Sequence, residues 1–433
     1  MLDQLRRAAA LDRLAYDPQA LRRYQSARLT RLVRHAAARV PFYRATYRAA
    51  DIDPATINSI DDLARLPLIG KAHLRAAFPD GLRAEGRVGT DAFLVETSGS
   101  TGEPVRMFKD WEALCAVVAW SSPVMLRRWW GTSGLRLMTL LVRQEHSMEQ
   151  AIVRALPRFL LRVHAGDALA PPETQLEEIR RVRPQLLVSY PSVLKTLAVK
   201  ILEDGLRIPQ PKLLATSAEV LDAHARRLIG AAFTGRLINI YASTEVGFIA
   251  VECREGRGLH VNSPRVLVEV LRDGRPAAPG EPGAVVVTDL TNFVCPIIRY
   301  QGLGDIARWS DRPCDCGRHF PLLDVVEGRR VDAFVLPDGR VLHPYTLSLA
   351  MEHVPGVRRF QIIQEAPDLV RVLVDSNGQG PTDLAVVIGA RFTQLLGGGV
   401  RVAVEMVDVI PAPPHGAGPP TVRSLVAGRP RPG

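Results

Sequence analysis

The chain has 433 residues, of which 47% are hydrophobic and 23% are charged. That length predicts at least two domains, and the composition is that of a globular protein, which excludes disordered and fibrous classes. No stretch of about twenty uncharged apolar residues occurs, so we expect no membrane association. Five cysteines, an odd number in a long chain, favour the reducing cytoplasm over a disulfide framework.

The formal net charge of +10 does not by itself indicate a nucleic-acid partner. Nearly all the basic residues are arginines, spread along the chain between apolar residues as on solvated helix faces. The lysines are Lys71, Lys109, Lys195, Lys200 and Lys212. Since binding an anionic nucleotide fits the surplus equally well, we expect small-molecule partners and no nucleic acid. The oligomeric state cannot be inferred from the sequence.

Residues 1–50 carry apolar side chains at helical spacing, which predicts a helix that Pro41 ends. Between residues 135 and 245, short apolar runs alternate with helical stretches. The predicted strands are Leu135–Val142, Gln185–Ser189, Lys212–Thr216 and Arg236–Tyr241, and the predicted helices are Met148–Val163, Val193–Leu202 and Glu219–Phe233. This alternation predicts a parallel sheet, with ligands beyond the carboxyl ends of its strands.

Beyond residue 260 the pattern changes to strands and turns, with predicted strands at Val266–Leu271, Ala284–Asp289 and Asp305–Trp309. We place a domain boundary after residue 327, which gives a large α/β domain over 1–327 and a small α+β domain over 328–433. The small domain has strand-like runs at Phe360–Gln364, Val370–Val374 and Val400–Val407, and helix-like runs at Leu347–His353 and Leu384–Leu396. The Pro- and Gly-rich tail from Pro411 is expected to be loose.

The segment Thr97-Ser98-Gly99-Ser100-Thr101-Gly102 follows an apolar run and predicts an anion-binding loop. Its glycines allow close backbone approach to a ligand, and its amides and hydroxyls are hydrogen-bond donors. It is not a Walker A loop, because no Gly-Lys-Ser/Thr follows. A solvated turn is the alternative for this segment alone.

Three later segments also carry polar side chains suited to a nucleotide. In Tyr241-Ala242-Ser243-Thr244-Glu245, the ring is a flat surface for a purine and the carboxylate suits Mg²⁺. In Pro296–Asp305, Asp305 is an acceptor for a ribose diol. In Gly328–Asp332, Arg329 can pair with the nucleotide and Asp332 can act as a hinge. Taken singly, each also fits an ordinary turn.

A second group of residues has the side chains of a metal site. Cys253 and His260 form a Cys-x6-His pair, and Cys314 and Cys316 a Cys-x-Cys pair. Thiolates and imidazole are the ligands of closed, structural zinc sites. The alternative is buried thiols beside an unrelated histidine. Cys115 and Cys295 are expected to be core residues.

In this order, the segments resemble the adenylate-forming superfamily, and most closely its phenylacetate–coenzyme A ligase-like branch. The resemblance spans nearly the whole chain, including the Val40-Pro41-Phe42-Tyr43 segment and Gly258-Leu259-His260. It implies the fold described above, with a mobile C-terminal domain that turns on Val331-Asp332. It also implies formation of an acyl-adenylate from ATP and a carboxylic acid, aromatic in the nearest relatives, followed by transfer to coenzyme A.

The resemblance also implies residue roles. The loop from Thr97 to Gly102 would hold the β- and γ-phosphates, and Thr244 the α-phosphate. Glu245 would hold Mg²⁺, and Asp305 would bind the ribose with Arg329 beside it. The adenine would lie near Tyr241 and the segment Ser217-Ala218-Glu219, where many members have glycine in place of Ala218. Of these, Thr244, Glu245 and Arg329 are the implied catalytic residues.

The chain departs from the family in lacking the lysine that its members use near the C-terminus for adenylation. No lysine follows Lys212 here, and the matching region reads His415–Arg423. Arg423 is a candidate substitute, although a guanidinium and an ammonium differ in geometry. Slow adenylation without the residue, or a substrate activated in another way, are the other interpretations. A ligase with an amine acceptor and a non-catalytic nucleotide-binding protein therefore stay as alternatives.

Overall fold

The computed structural model describes residues 10–86, 92–97, 104–114, 135–141, 161–219, 221, 223–253, 255–327, 334–342, 344–351, 354–376, 381–408, 410 and 422–426. The N-terminal segment is helical, as predicted, with a 3₁₀ turn at Arg13–Tyr16 followed by α1 (Pro18–Arg39) and α2 (Pro41–Ala49). The prediction for Pro41 was wrong in one respect. Helix α1 ends just before Pro41, as predicted, but Pro41-Phe42-Tyr43, which we expected to form a short packed turn, begins α2, because the first helical position needs no N–H donor. Helix α3 spans Lys71–Ala77.

The predicted anion-binding loop connects the two strands of an antiparallel hairpin, β1 (Ala92–Glu96) and β2 (Arg106–Asp110). Thr97 closes the neck of this hairpin. Its N–H donates to the Val105 carbonyl at 2.9 Å, and the Val105 N–H donates to Thr97 Oγ1 at 2.9 Å. The hairpin is a separate two-stranded sheet, with Met107 and Lys109 buried on one face of β2.

A 12-stranded sheet forms the centre of the large domain. Its parallel half consists of β3 (Leu135–Leu141), β4 (Leu161–Asp167), β5 (Leu186–Ser189), β6 (Leu213–Ser217) and β7 (Arg236–Ser243). Its helices are α4 (Pro172–Val182), α5 (Pro191–Glu203) and α6 (Ala223–Ala232). The parallel sheet is therefore confirmed. The predicted helix Met148–Val163 was wrong at its end, where Leu161–Asp167 pairs with β3 as a strand; residues 148–160 lie outside the described residues.

The antiparallel half of the same sheet consists of β8 (Gly247–Glu252), β9 (Leu259–Val261), β10 (Val266–Arg272), β11 (Arg275–Pro276), β12 (Pro282–Asp289), β13 (Ile306–Trp309) and β14 (Leu322–Glu327). The halves join where β7 pairs antiparallel with β8. Thr244 and Glu245 therefore lie in the turn at this junction. Helices α1 and α2 share one buried core with the hairpin and the antiparallel half.

The C-terminal region has its own hydrophobic core. It contains β15 (Phe334–Val335), β16 (Val341–Leu342), α7 (Pro344–Met351), β17 (Val357–Ala366), β18 (Leu369–Ser376), α8 (Leu384–Leu396), β19 (Arg401–Met406) and β20 (Val422–Ser424). The expectation of a loose tail was wrong for β20, which pairs parallel with β17 because Val422 is buried in this core. The α/β fold class with a small α+β C-terminal region is confirmed. The boundary between residues 327 and 328 stays a prediction.

Candidate nucleotide and metal sites

Polar segments follow three neighbouring strands of the parallel half. Tyr190 follows β5, Ala218-Glu219 follow β6, and Thr244-Glu245 follow β7. Because β5, β6 and β7 run parallel, these segments lie at the same edge of the sheet. The structure therefore places the Ser217–Glu219 and Tyr241–Glu245 segments next to each other, as the strand pattern predicts.

A hydrogen bond joins Tyr241 to Asp305. The Tyr241 hydroxyl donates to Asp305 Oδ2 at 2.7 Å, although 64 residues separate the two in the chain. The predicted adenine surface and the predicted ribose acceptor are thus brought together at the end of β7. A flat ring beside a carboxylate can stack on a purine and accept hydrogen bonds from a sugar diol.

Glu245 is buried, with 4% of its surface exposed. Its Oε1 accepts a hydrogen bond of 2.9 Å from the hydroxyl of Tyr300, which is fully buried. Tyr300 belongs to the Pro296–Asp305 segment, so the second and third predicted segments meet here as well. A carboxylate held in one orientation near a sheet edge has the oxygen donors that Mg²⁺ requires.

A cluster of three fully buried charged residues, Lys109, Arg265 and Asp289, lies against the turn that carries Glu245. Asp289 Oδ2 is 3.6 Å from Lys109 Nζ and 3.4 Å from an Arg265 guanidinium nitrogen. Burial lowers the pKa of Lys109. Burial alone would raise the pKa of Asp289, but the positive charges of Arg265 and Lys109 and two hydrogen bonds from Thr291 together lower it. We call these three residues the buried charge cluster.

Glu219 lies on the neighbouring strand end and is held by hydroxyl and amide donors. The Ser192 N–H and Oγ donate to its two carboxylate oxygens, each at 2.9 Å, and Thr346 Oγ1 donates to Oε1 at 3.4 Å. Burial raises the pKa of Glu219 to about 7. Since Thr346 is on α7, this carboxylate connects the large domain to the C-terminal region.

Ala218 has a φ of +69°, in the left-handed region where a Cβ atom is unfavourable. Glycine would adopt this conformation without that penalty. Strained backbone of this kind clusters at ligand sites. Holding an alanine in this conformation therefore carries an energetic cost.

Several predicted site residues lie outside the described residues. They are Ser98, Gly99, Ser100, Thr101, Gly102, Arg329, Val331 and Asp332. Of the anion-binding loop, only Thr97 is described, and it closes the hairpin from which the loop extends. The roles assigned to all of these residues stay predictions.

The four predicted metal ligands converge. One ligand atom from each of Cys253, His260, Cys314 and Cys316 lies within 4.8 Å of the others. Cys314 Sγ is 3.5 Å from Cys253 Sγ, and Cys316 Sγ is 3.3 Å from His260 Nε2. Among the described residues, these four form the group of three or more His, Cys, Asp or Glu side chains whose ligand atoms lie close enough together to share one metal ion.

The surroundings of the cluster suit a tetrahedral zinc ion. His260 Nδ1 is 3.0 Å from the Phe320 carbonyl, an arrangement in which Nδ1 donates and Nε2 faces the thiols. In the absence of a cation, burial raises the pKa of Cys253 to about 12. A divalent cation would favour the thiolate, since zinc binds sulfur in that form. Three sulfurs and one imidazole nitrogen form a closed, structural type of ligand set.

Two comparisons with known proteins find relatives, and no family model matches the chain. The chain is 29% identical over 368 residues to the phenylacetate–coenzyme A ligase of Thermus thermophilus, covering 79% of this chain and 78% of that protein. It is 27% identical over 299 residues to the phenylacetate–coenzyme A ligase of Aromatoleum evansii, covering 65% of each. A crystal structure of 2-hydroxyisobutyryl-CoA ligase with 2-HIB-AMP and CoA superposes with a TM-score of 0.68 at 22% identity, covering 95% of this chain and 91% of that one.

The fold is therefore that of the adenylate-forming CoA ligases. The two curated relatives extend the likeness from fold to sequence over most of the chain. They confirm the predicted resemblance to the adenylate-forming superfamily and to its phenylacetate–coenzyme A ligase-like branch.

The sequence analysis did not identify the buried charge cluster that contacts the Glu245 turn. Lys109 was noted only as one of the five lysines of an arginine-rich chain, yet it is fully buried. Its alternation with Met107 on β2 was an available signal, because residues two apart on a strand share a face. For Arg265 and Asp289 the sequence offers no comparable signal.

In the described part of the chain, no helix is long and apolar enough to span a membrane.

Proposed function

We propose that this protein is an ATP-dependent, AMP-forming ligase that activates a carboxylic acid and transfers it to coenzyme A. The observation that carries the proposal is the convergence of Tyr241 with Asp305 and of Glu245 with Tyr300 at one strand edge. The similarity to two phenylacetate–coenzyme A ligases supports both the reaction and an aromatic acid as substrate.

In the first half-reaction, a carboxylate oxygen of the acid attacks the α-phosphorus of ATP. The bond from that phosphorus to the bridging oxygen breaks, and pyrophosphate leaves. In the second, the thiol sulfur attacks the acyl carbonyl carbon, AMP leaves and the thiol proton passes to solvent. The protein accelerates these steps by aligning the reactants and by compensating developing negative charge.

The residues are assigned as the family resemblance implies. Tyr241 packs against adenine, Asp305 accepts from the ribose hydroxyls with Arg329 beside it, and Thr244 donates to the α-phosphate. The loop from Thr97 to Gly102 binds the outer phosphates. Bound Mg²⁺ would neutralise charge on the phosphate oxygens, and the Glu245 carboxylate is the group that would hold it.

We further propose that Cys253, His260, Cys314 and Cys316 hold a structural zinc ion. The support is the ligand set and its convergence within 4.8 Å. The site would link the Cys314–Cys316 turn to the segment around β9. Nearby, Arg318 links the same turn to the N-terminal segment through an ion pair of 3.1 Å with Asp12.

The proposal is tested by measuring pyrophosphate release from MgATP against a panel of aryl and alkyl acids. Each acid is assayed with coenzyme A, with an amine, and with neither. Release that depends on an aromatic acid, and thioester formation with coenzyme A, are expected. Glu245→Gln should abolish release, whereas Lys200→Met on α5 should not. No release with any acid, while ATP still binds, would overturn the ligase proposal, and product only with amine would reassign the acceptor.

The same assay addresses the absent lysine. Arg423 occupies the middle of β20. If its guanidinium substitutes for the lysine, Arg423→Ala should reduce pyrophosphate release by more than tenfold without loss of ATP binding, whereas the matched variant Arg401→Ala on β19 should not. Equal activities of the two variants would show that adenylation proceeds without a basic residue at this position.

A further inference from the structure

Lys109 reaches from the hairpin of the anion-binding loop to the turn that carries Glu245. Its Nζ donates to the Glu245 backbone carbonyl at 2.8 Å, across 136 residues of sequence. It comes from β2, the strand by which the chain leaves the loop. One buried side chain therefore connects two segments to which nucleotide contacts are assigned.

Arg265 binds the next part of the same turn. Its guanidinium donates to the Val246 carbonyl and, at 3.4 Å, to the Phe248 carbonyl. Together with Lys109, it supplies cationic donors to the carbonyls of two consecutive residues, 245 and 246. Such charge-assisted hydrogen bonds in a dry interior are stronger and more directional than neutral ones.

Asp289 completes the cluster by supplying the buried negative charge. Beyond the two cations, its Oδ1 accepts from the Thr291 N–H at 2.9 Å and from the Thr291 hydroxyl at 2.6 Å. It lies at the end of β12 and is therefore held by the sheet. The carboxylate orients both cations toward the turn.

Stability alone does not account for this arrangement. Three fully buried charges require desolvation, and apolar residues of similar volume are often as stabilising as a buried ion pair. What apolar residues cannot provide is donors to the turn carbonyls. We propose that Lys109, Arg265 and Asp289 are positioning residues that fix the Thr244–Glu245–Val246 turn and tie it to the anion-binding hairpin, so that the groups for metal and phosphate are presented together.

This inference rests on the proposed function. Hydrogen exchange tests the positioning role by itself, and the pyrophosphate assay tests its effect on the reaction. Lys109→Met removes the donor but leaves Asp289 paired with Arg265. In hydrogen exchange of the unliganded protein, we expect faster exchange of amides in 244–248 and in 92–97. In the assay, we expect the Mg²⁺ concentration for half-maximal pyrophosphate release to rise by about tenfold or more, the scale of losing one buried hydrogen bond to a charged group.

The control is Ile229→Ala, which truncates a fully buried side chain on α6, away from this turn. It should lower stability but leave the exchange of 244–248 and the Mg²⁺ dependence as in the wild type. If Lys109→Met changes these quantities no more than Ile229→Ala does, the cluster is merely structural and the inference is overturned. If the wild type releases no pyrophosphate, the proposed function fails, and hydrogen exchange still decides whether Lys109 positions the turn.

Discussion

The Cys/His cluster and the buried charge cluster are both assembled from distant parts of the chain, but they differ in how they are recognised. The first uses residue types whose pairing at short spacing indicates metal binding. The second uses a lysine, an arginine and an aspartate, the most ordinary surface residues, which gain their role from complete burial. Ligand chemistry is visible in a sequence, whereas a role that depends on the dielectric surroundings is not.

The largest expected effect is on the Cys/His cluster. Cys316→Ser replaces one ligand, so we expect loss of a bound zinc ion and a large drop in the midpoint of thermal unfolding. Structural zinc contributes about 10–16 kcal/mol of binding free energy in small peptides, and even part of that exceeds the other effects below. Zinc content is measured by elemental analysis of the purified chain. Cys295→Ser, at a fully buried cysteine outside the cluster, is the control and should retain the metal.

The next largest effect is expected at the buried charge cluster. Asp289→Asn leaves Lys109 and Arg265 without their carboxylate, and uncompensated buried charge lowers the free energy of unfolding by roughly 3–5 kcal/mol. Lys109→Met should lower it less, since the remaining ion pair is balanced. Urea denaturation of both variants gives the order, and the reverse order would contradict the charge balance described here.

Glu219 sharpens the comparison, because the donors that contact this buried carboxylate are neutral, whereas Asp289 has two cations. Its pKa is raised from 4.5 to about 7, so its stabilising contribution is complete below pH 4.5 and is lost as the pH rises through about 7. Relative to Glu219→Gln, the wild type should lose on the order of 3 kcal/mol over this range.

Denaturant unfolding of both proteins between pH 4.5 and 8 measures this loss. Thr346→Val removes a hydroxyl donor that favours the ionised carboxylate, so the window should move to higher pH. Parallel profiles for the wild type and Glu219→Gln would show that the contact between the large domain and α7 does not titrate.

The smallest expected effect concerns the backbone at Ala218. Because its φ of +69° is unfavourable for a residue with a Cβ atom, Ala218→Gly should raise the free energy of unfolding by about 0.5–1 kcal/mol. Ala215→Gly, three residues earlier and inside β6, is the control and should lower it by a similar amount, since no left-handed conformation is relieved there. An equal decrease in the free energy of unfolding of both variants would show that the backbone at Ala218 is not strained.

The order of strands and helices was largely predictable from the sequence, as was the edge of the sheet where the site lies. Periodicity of apolar residues marks β5, β6 and β7 directly, and parallel pairing then places their polar ends together. Two elements were predicted wrongly. Leu161–Val163, the first residues of β4, were assigned to the end of a helix because a short apolar run is ambiguous. The C-terminal tail was expected to be loose, although Val422 packs in a core formed by distant strands.

For the site itself, the sequence determined the residue types. A purine surface, a ribose acceptor, an oxygen ligand for a cation and four soft ligands for a second metal could each be named from local patterns and from the family resemblance. The tertiary structure decided which of them meet. It pairs Tyr241 with Asp305 and Glu245 with Tyr300, and it buries Lys109, Arg265 and Asp289 beneath that turn. The physical reason is that hydrogen bonds and ion pairs act over a few ångströms in space, and contacts between residues 55, 64 or 136 positions apart in the chain exist only once the sheet is formed.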